Sequence, residues 1–316
     1  MKPRILLTGK TGQIGQELQR LLPDLGDVTA PDREQLDLLK PTDIQRAIRD
    51  VRPHLIVNAA GYTAVDQAEA DKATAHVINA EAPALMAEEA RSIGASLLHY
   101  STDYVFDGMK TSPYDESDSP NPINVYGRTK LEGEQAIRKS GVPHLIFRTA
   151  WVYGTRGRNF LLSILRLATQ QTDLRVVSDQ VGAPTWSRAV ASATSTILAQ
   201  LLDRGFDLAS LQKVSGTYHM TAAGETSWCD FAKAILEESS AITPSTPWVA
   251  AATNGQPLIA ERVIPISTRE YPTAAVRPVY SVLSNARLAS TFNCQLPDWR
   301  TQLHVVFGES ERSAPS

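Results

Sequence analysis

The stretch RILLTGKTGQIGQELQRLL, residues 4–22, decides the fold class. Ile5 to Thr8 is an apolar run of the length of a buried strand. Three glycines follow it at once in GKTGQIG, residues 9–15, and apolar residues then recur at the spacing of one helix face until Pro23. A strand, a glycine-rich turn and a helix in this order predict the first unit of a parallel sheet covered by helices.

Gly9, Gly12 and Gly15 have the spacing GxxGxxG and lie where the strand meets the helix. The pyrophosphate of a dinucleotide needs backbone N–H groups of a helix N-terminus and no Cβ atoms between them, which glycines provide. A turn that needs glycine only for its backbone conformation is the alternative. The position after the first strand favours nucleotide binding.

Further apolar runs of strand length follow helical segments at His54–Asn58, Ser96–Ser101 and His144–Arg148. Their alternation predicts an α/β fold, a Rossmann-like doubly wound parallel sheet with a second, smaller α/β substrate domain. We expect an NAD(P)-binding domain at 1–155. Residues 156–308 are expected to form mainly the second domain with crossovers to the first, and 309–316 a disordered tail. The Ser-, Thr-, Pro- and Ala-rich stretch 239–256 predicts a loop.

Composition excludes several function classes. The chain of 316 residues has 31 basic and 34 acidic residues and a net charge of -3, without a long run of one sign, so neither nucleic acid nor a membrane surface is expected as a partner. The two cysteines, Cys229 and Cys294, lie far apart and predict neither a disulfide framework nor a zinc site. The N-terminus lacks the apolar core of a signal peptide and no stretch is long enough to span a bilayer, so we expect a cytoplasmic protein.

The end of the second strand normally distinguishes the two nicotinamide cofactors, because an acid there binds the ribose 2′-OH and an arginine favours a 2′-phosphate. The sequence APDR offers both Asp32 and Arg33 at this point. NADPH and NADH therefore both remain candidates.

Tyr126 and Lys130 form a YxxxK motif, which places both side chains on one face of a helix. An ammonium near a tyrosine hydroxyl stabilises the phenolate and makes the tyrosine a better proton donor or acceptor near neutral pH. A hydroxyl residue at the end of a central strand completes the set. Thr102 is the candidate and Ser101 its competitor, and strand alternation alone does not separate them.

Eight motifs together resemble the dTDP-4-dehydrorhamnose reductases, a family of extended short-chain dehydrogenases/reductases. They run from residue 9 to residue 283: GKTGQIG, NAAGYTAVDQAE, STDYVFDG, PYDESDSPNPINVYGRTKLEGE, RTAWVYG, GAPTW, GTYHMTAAGETSWCDFAKAI and EYPTAAVRPVYSVL. The resemblance implies hydride transfer from NAD(P)H to the C4 ketone of dTDP-4-dehydro-L-rhamnose, with residues 156–308 as mainly the sugar-nucleotide substrate domain. It also implies a proton donated by Tyr126, a Lys130 that lowers the tyrosine pKa and binds the cofactor ribose, and a Thr102 that binds the ketone oxygen.

The same resemblance assigns binding residues. Those that line the cofactor are Gly12, Gln13, Ile14, Ala60, Gly61 and Tyr62, with Asp37 and Leu38 as the pair that contacts the adenine. A capping role is the alternative for Asp37. Thr102 and Asp103 are expected to meet the sugar and Trp151 to pack against the substrate, with a buried core tryptophan as the alternative.

Two departures from the family pattern concern metal and charge. Some members bridge two subunits through magnesium held by glutamates; Glu17 matches one such position, but Arg188 and Arg300 occupy the other two, and arginine cannot ligate a cation. We therefore expect no metal site, and a monomer or a dimer without a metal bridge. Arg277 is expected to contact either a diphosphate or a structural hydrogen-bond acceptor.

Two other functions compete with the reductase hypothesis. One is a different nucleotide-sugar reductase, epimerase or dehydratase on the same fold. The other is a non-catalytic regulatory or scaffold subunit, although such a subunit has no need to keep the tyrosine, and this chain has the complete set of Thr102, Tyr126 and Lys130.

Overall fold

The computed structural model describes residues 2–202, 208–240 and 246–308. The tail predicted at 309–316 lies outside these ranges. The strands are β1 (Arg4–Thr8), β2 (Asp27–Thr29), β3 (Leu55–Asn58), β4 (Ser96–Thr102), β5 (His144–Thr149), β6 (Val152–Tyr153), β7 (Asp173–Val177), β8 (Val181–Gly182), β9 (Thr185–Trp186), β10 (Gly216–His219), β11 (Thr226–Ser227) and β12 (Arg262–Ile266). The α-helices are α1 (Gln13–Leu21), α2 (Pro41–Val51), α3 (Val65–Ala70), α4 (Lys72–His76), α5 (Ala82–Ser92), α6 (Val125–Ser140), α7 (Phe160–Ala168), α8 (Ser187–Leu202), α9 (Leu208–Lys213), α10 (Trp228–Ser240), α11 (Pro247–Thr253), α12 (Ala286–Phe292) and α13 (Trp299–Gly308).

A parallel sheet lies at the centre of the described structure. Its strand order is β10-β5-β4-β3-β1-β2, and every neighbouring pair is parallel. The chain passes from β1 through α1 to β2 on one side and returns to β3 on the other side of β1. The order therefore reverses at β1, and open α/β sheets bind ligands at such a switch point. The predicted doubly wound α/β fold is confirmed.

Apolar residues cover both faces of this sheet, as expected for strands that read as nearly continuous hydrophobic runs. One face packs against α1, α8 and α12, with Leu98 and Phe147 in its core. The other face packs against α2, α5 and α6, with Leu97 and Ile146 in its core. Along β4, odd-numbered residues thus face α6 and even-numbered residues face α8, the period of two that a strand imposes.

The second half of the chain has a core of its own and also contributes to the sheet. Residues between Tyr153 and Phe307 form a separate apolar cluster, whereas β10 and α8 belong to the central sheet and its covering layer. The division into domains at residue 155 stays a prediction. Within 239–256, the expected loop is wrong for the last residues of α10, which ends at Ser240, and for α11, whose first helical residue is Pro247, a favoured starting position. Residues 241–245 of the expected loop lie outside the described ranges. Across the described ranges, no helix is long and apolar enough to cross a membrane.

Candidate active site

The glycine turn has the geometry that dinucleotide binding needs. Gly9 has φ +77°, and a Cβ there would lie 2.6 Å from the Ala59 carbonyl carbon of the neighbouring strand end. A Cβ on Gly15 would lie 2.0 Å from the Gly9 oxygen. Gly12 differs, because its nearest neighbour in the same test is at 3.3 Å, and it caps α1 without a side-chain hydrogen bond. Two glycines therefore permit the tight turn and the third leaves the helix N-terminus open.

Asp32 follows β2 and lies beside this turn. Its carboxylate is 3.9 Å from the Lys10 ammonium and accepts hydrogen bonds from the backbone N–H groups of Glu34 and Gln35. Arg33 is exposed. The turn therefore brings a cation, Lys10, to the place where sequence reasoning considered only Asp32 and Arg33.

Asp37 and Leu38 lie in the loop after Asp32. The Asp37 carboxylate accepts a hydrogen bond from Leu39 N, while Lys40 caps α2, so Asp37 stabilises a local turn and does not cap that helix. Leu38 is half-buried against the core under α2 and α5. The contact of this pair with adenine stays a prediction.

The segment Ala60–Tyr62 is held by two buried asparagines. Ala60 N donates to the side-chain oxygen Oδ1 of Asn58. Tyr62 N donates to Oδ1 of Asn79, and the Asn79 side-chain amide donates back to Tyr62 O. Asn79 lies in a π-helical turn, Val77–Glu81. A Cβ on Gly61 would come within 4.0 Å of the Lys130 amine, so the segment lies directly beside α6.

Gln13 and Ile14, the first residues of α1, point in different directions. Gln13 donates to Val152 O and accepts a hydrogen bond from Asn159, which ties the glycine turn to the second half of the chain. Ile14 packs against the core between α1 and the sheet. Only backbone groups of Ile14 thus remain to meet a phosphate at the helix N-terminus.

Tyr126 and Thr102 meet at the carboxyl edge of the sheet, where the Thr102 hydroxyl lies close enough to influence the Tyr126 pKa. Thr102 donates to an Asp103 carboxylate oxygen 3.0 Å away and accepts a hydrogen bond from Tyr104 N. Burial raises the pKa of Tyr126 to about 12; the nearby Thr102 hydroxyl opposes the rise, and the Asp103 charge adds to it. The tyrosine therefore carries its proton near neutral pH.

Asp103 is buried and incompletely hydrogen-bonded. Burial raises its pKa to about 6, and the nearby Ser281 and Thr102 hydroxyls oppose the rise. Its second carboxylate oxygen is buried and has no hydrogen-bond partner within the described structure. An unpaired buried oxygen at the end of a central strand is a polar position that a substrate group can satisfy.

Ser101 does not share this site. It faces α6, and its hydroxyl donates to Glu134 at 2.6 Å. Glu134 also accepts two hydrogen bonds from Arg148 and one from Arg138. Thr102, at the very end of β4, is therefore the hydroxyl that contacts Tyr126.

Lys130 is 4% exposed and lies one helical turn after Tyr126. Its amine donates to Tyr100 O at 2.6 Å and lies 3.0 Å from His99 Nε2. Burial lowers the pKa of Lys130 to about 8, and the Glu134 charge opposes the shift. The expected effects of Lys130 on the Tyr126 pKa and on a cofactor ribose stay predictions.

Trp151 follows β5 at the same edge of the sheet and has φ +47°. Its indole stacks on Trp228 with ring centroids 3.4 Å apart, and a Cβ on Gly182 would lie 2.4 Å from it. The side chain is half-buried, so it is neither a core tryptophan nor a freely exposed ring. Its contact with the substrate stays a prediction.

The arginines that depart from the family pattern make ion pairs. Arg188 donates to Glu17 at 2.9 Å, and Arg300 pairs with Glu237. Arg277 binds Asp66 through both terminal nitrogens, which is the structural role among the two considered. Within the described ranges, no group of three or more His, Cys, Asp or Glu side chains is arranged to hold a metal ion.

The sequence did not predict three residues that hold the site in place. Asn58 and Asn79 bind the segment Ala60–Tyr62, and His99 contacts Lys130. Asn58 is the first residue of the motif NAAGYTAVDQAE, and Asn79 follows that motif. His99 lies inside an otherwise largely apolar strand, where the sequence indicates no partner for it. The pairing of β3 with β4 brings His99 to Asn58, and the packing of α6 on β4 brings it to Lys130.

Comparison with known proteins supports the resemblance. The family model described as the RmlD substrate binding domain matches residues 1–311. The dTDP-4-dehydrorhamnose reductase of Burkholderia thailandensis is 46% identical over 94% of this chain and 95% of the relative. The enzyme of the same name from Escherichia coli K12 is 40% identical over 96% of this chain and 97% of the relative.

A solved structure of the same family has the same fold as this chain. The crystal structure of dTDP-4-dehydrorhamnose reductase from Bacillus anthracis in complex with NADP superposes with a TM-score of 0.84 at 34% identity, covering 98% of this chain and 100% of that chain. The similarity thus extends over both halves of the chain.

Proposed function

The chain belongs to the RmlD substrate binding domain family, and we propose from this premise that it is an NAD(P)H-dependent reductase. It reduces the C4 ketone of dTDP-4-dehydro-L-rhamnose to dTDP-L-rhamnose, the last step of the biosynthesis of this cell-surface polysaccharide precursor. The juxtaposition of Tyr126 and Thr102, at the sheet edge that also carries the glycine turn, is the observation that supports the proposal most strongly.

The chain fits a dinucleotide. Gly12 leaves the N-terminus of α1 open, and the N–H groups of the first turn suit a pyrophosphate. Lys10, Asp32 and Arg33 lie where the adenosine ribose is expected, and Ala60–Tyr62 lies between this turn and Lys130. The bound nicotinamide supplies the hydride. Lys10 and Arg33 favour a 2′-phosphate and Asp32 a free 2′-OH, so NADPH and NADH both fit this end of the site.

Tyr126 supplies the proton. Hydride addition to the ketone carbon places negative charge on its oxygen, and the Tyr126 hydroxyl proton moves to that oxygen, which completes the alcohol and leaves a phenolate. Thr102 has a single hydroxyl proton, which goes to Asp103 when no substrate is bound. To bind the ketone oxygen, that hydroxyl must rotate away from Asp103, whose carboxylate is then open to a sugar hydroxyl.

The remaining proposals concern substrate, assembly and compartment. Trp151, half-buried beside the sheet edge and stacked on Trp228, is the residue expected to pack against the sugar nucleotide. Because the Arg188 guanidinium already neutralises Glu17, we expect a monomer or a dimer without a metal bridge. Sedimentation with and without added magnesium or chelator tests this, and a magnesium-dependent dimer contradicts it. A nucleic-acid partner is not expected, and the proposed location is the cytoplasm.

Tyr126→Phe tests the proposed function. Removing the proton donor should lower kcat about 100-fold or more, with cofactor affinity measured by fluorescence titration unchanged. Tyr218→Phe is the matched control, because that hydroxyl donates to Val214 O at the outer edge strand. Full turnover by Tyr126→Phe contradicts the assigned proton donor. Tightly held NAD without net oxidation of added NADPH supports an epimerase, and full biological activity of Tyr126→Phe supports a scaffold subunit.

A further inference from the structure

We propose that His99 is a positioning residue for Lys130 and, through its hydrogen bonds, favours the neutral amine over the ammonium. This inference rests on the proposed function only for its effect on the reaction; the hydrogen-bond arrangement itself does not depend on which substrate the protein binds. It begins from a line of four buried polar side chains that no step of the proposed reaction uses directly apart from the last: Thr8, Asn58, His99 and Lys130.

The line crosses three strands at one level. Thr8 pairs with Asn58 across β1 and β3, and Asn58 pairs with His99 across β3 and β4. Thr8 donates to the Asn58 carbonyl oxygen at 2.7 Å, the Asn58 amide nitrogen lies 3.0 Å from His99 Nδ1, and His99 Nε2 lies 3.0 Å from the Lys130 amine. Asn58 and His99 are fully buried, and Thr8 is nearly so.

The direction of these hydrogen bonds is fixed at Asn58. Its carbonyl oxygen accepts from Thr8 and also from Ala60 N. Turning the amide over would place its nitrogen against the Ala60 N–H, two donors facing each other. The Asn58 NH₂ group therefore faces His99, and His99 Nδ1 must accept.

A neutral imidazole has one N–H, so a His99 that accepts at Nδ1 carries its proton at Nε2. Burial, with the Lys130 charge as a second cause, holds the His99 pKa well below its usual value, so the ring is neutral. Its Nε2–H then points at the Lys130 nitrogen. A neutral amine accepts that hydrogen bond and still donates to Tyr100 O. An ammonium has no lone pair and forms a donor-to-donor contact.

Other charges around Lys130 do not replace this effect. Glu134, the next turn of α6, favours the ammonium, but it is bound by Arg148 and Arg138. Asp103 acts on Tyr126 from the end of β4. On the helices packed against α6, Lys72 and Glu88 are exposed to solvent. The other ionisable groups there have partners elsewhere: Asp66 with Arg277, Glu69 with Val125 N, His76 with Glu81 and Glu132, Glu89 with Gln45, and Arg91 with Ser140 O.

The consequence for the reaction follows from charge. When Tyr126 has given its proton to the alkoxide, the remaining phenolate is stabilised by an ammonium at Lys130 and not by an amine. The reduction rate therefore falls as pH rises through the Lys130 pKa. Since His99 opposes the ammonium, it sets this alkaline limb at a lower pH than the lysine would otherwise have.

Nitrogen NMR of the protein without substrate tests the arrangement directly. With His99 assigned by comparison with His99→Gln, we expect the shifts of an Nε2–H tautomer with an accepting Nδ1. An Nδ1–H tautomer overturns the proposal, whatever the enzyme assay gives. A protein that shows the expected tautomer but no reduction contradicts the proposed function and leaves the hydrogen-bond assignment standing.

Two variants test the consequence. In His99→Gln, a carbonyl oxygen can face Lys130, and in Asn58→Asp an added acceptor draws the imidazole proton to Nδ1 and leaves Nε2 to accept. Both changes favour the ammonium, so the alkaline limb of kcat/KM should move up by about one pH unit in each.

His144→Gln is the matched control, because this buried histidine of β5 contacts Val142 O and Ser215. A purely structural role for His99 lowers activity at every pH without moving the limb. The proposal is overturned if the alkaline limb of kcat/KM lies at the same pH in both variants as in the His144→Gln control. If one variant fails to fold, the other and the tautomer measurement decide.

Discussion

Lys130 and Glu134 lie one turn apart on the same face of α6, and both are buried. Their surroundings nevertheless favour the charged form of Glu134 and the neutral form of Lys130. Glu134 accepts four hydrogen bonds, three of them from arginines, and these arginines hold its pKa below the usual value against the effect of burial. Lys130 contacts a backbone carbonyl and a neutral histidine, and burial lowers its pKa to about 8.

The difference separates a charge that holds the structure together from one whose protonation can change. The Glu134 cluster joins α6 to β4 and β5 with a fixed ion pair. The Lys130 amine lies on the same helix, and its neutral contacts leave it able to gain or lose a proton near neutral pH. One helix thus carries a fixed ion pair and, one turn earlier, an amine whose protonation can change near neutral pH.

The largest expected effect is a loss of stability on breaking the ion pair between Glu134 and Arg148. Glu134→Gln leaves Arg148, which is 3% exposed, without its carboxylate. Removing one partner of a buried pair typically costs about 3–5 kcal/mol of unfolding free energy. Urea denaturation measures it, with Glu237→Gln, which removes the exposed partner of Arg300, as the control. A loss no larger than that of the control contradicts the structural role given to this cluster.

The second prediction concerns Lys130→Met and pH. The folded-state pKa of about 8 lies below the unfolded value of roughly 10.4, so the ammonium destabilises the folded protein fully below about pH 8. This cost is relieved as pH rises from about 8 to about 10.4. Lys130→Met should therefore be more stable than the natural chain near neutral pH, by up to roughly 3 kcal/mol.

The measurement is thermal or urea unfolding across this pH range. The advantage of Lys130→Met should shrink as pH rises, whereas turnover should be low throughout. A stability difference that is the same at all these pH values contradicts a lowered Lys130 pKa.

The smallest expected changes in stability come from the hydroxyls of Ser101 and Thr102. Ser101→Ala removes one donor from Glu134 and should cost about 1–3 kcal/mol of stability, with kcat/KM nearly unchanged. Thr102→Ala should lower kcat/KM about 100-fold at a smaller cost in stability. Parallel unfolding and kinetic measurements on both variants check this. The reverse pattern would assign the catalytic hydroxyl to Ser101.

Much of the fold was predictable because it depends on local pattern. The strand, glycine turn and helix of residues 4–22, and the YxxxK motif on α6, are encoded in consecutive residues. The choice between Ser101 and Thr102 was not predictable, since the two lie at a strand end and their directions depend on the packing of α6 and on Glu134. The Thr8, Asn58 and His99 line requires the register of three strands. Residues 247–253 form a helix because they pack against α7, although their composition suggested a loop.

The most direct test of the proposed reductase is incubation of the pure protein with dTDP-4-dehydro-L-rhamnose and either NADPH or NADH. We predict loss of the reduced nicotinamide absorbance with at least one cofactor and formation of dTDP-L-rhamnose in equal amount. No loss of absorbance with either cofactor would contradict the assigned activity.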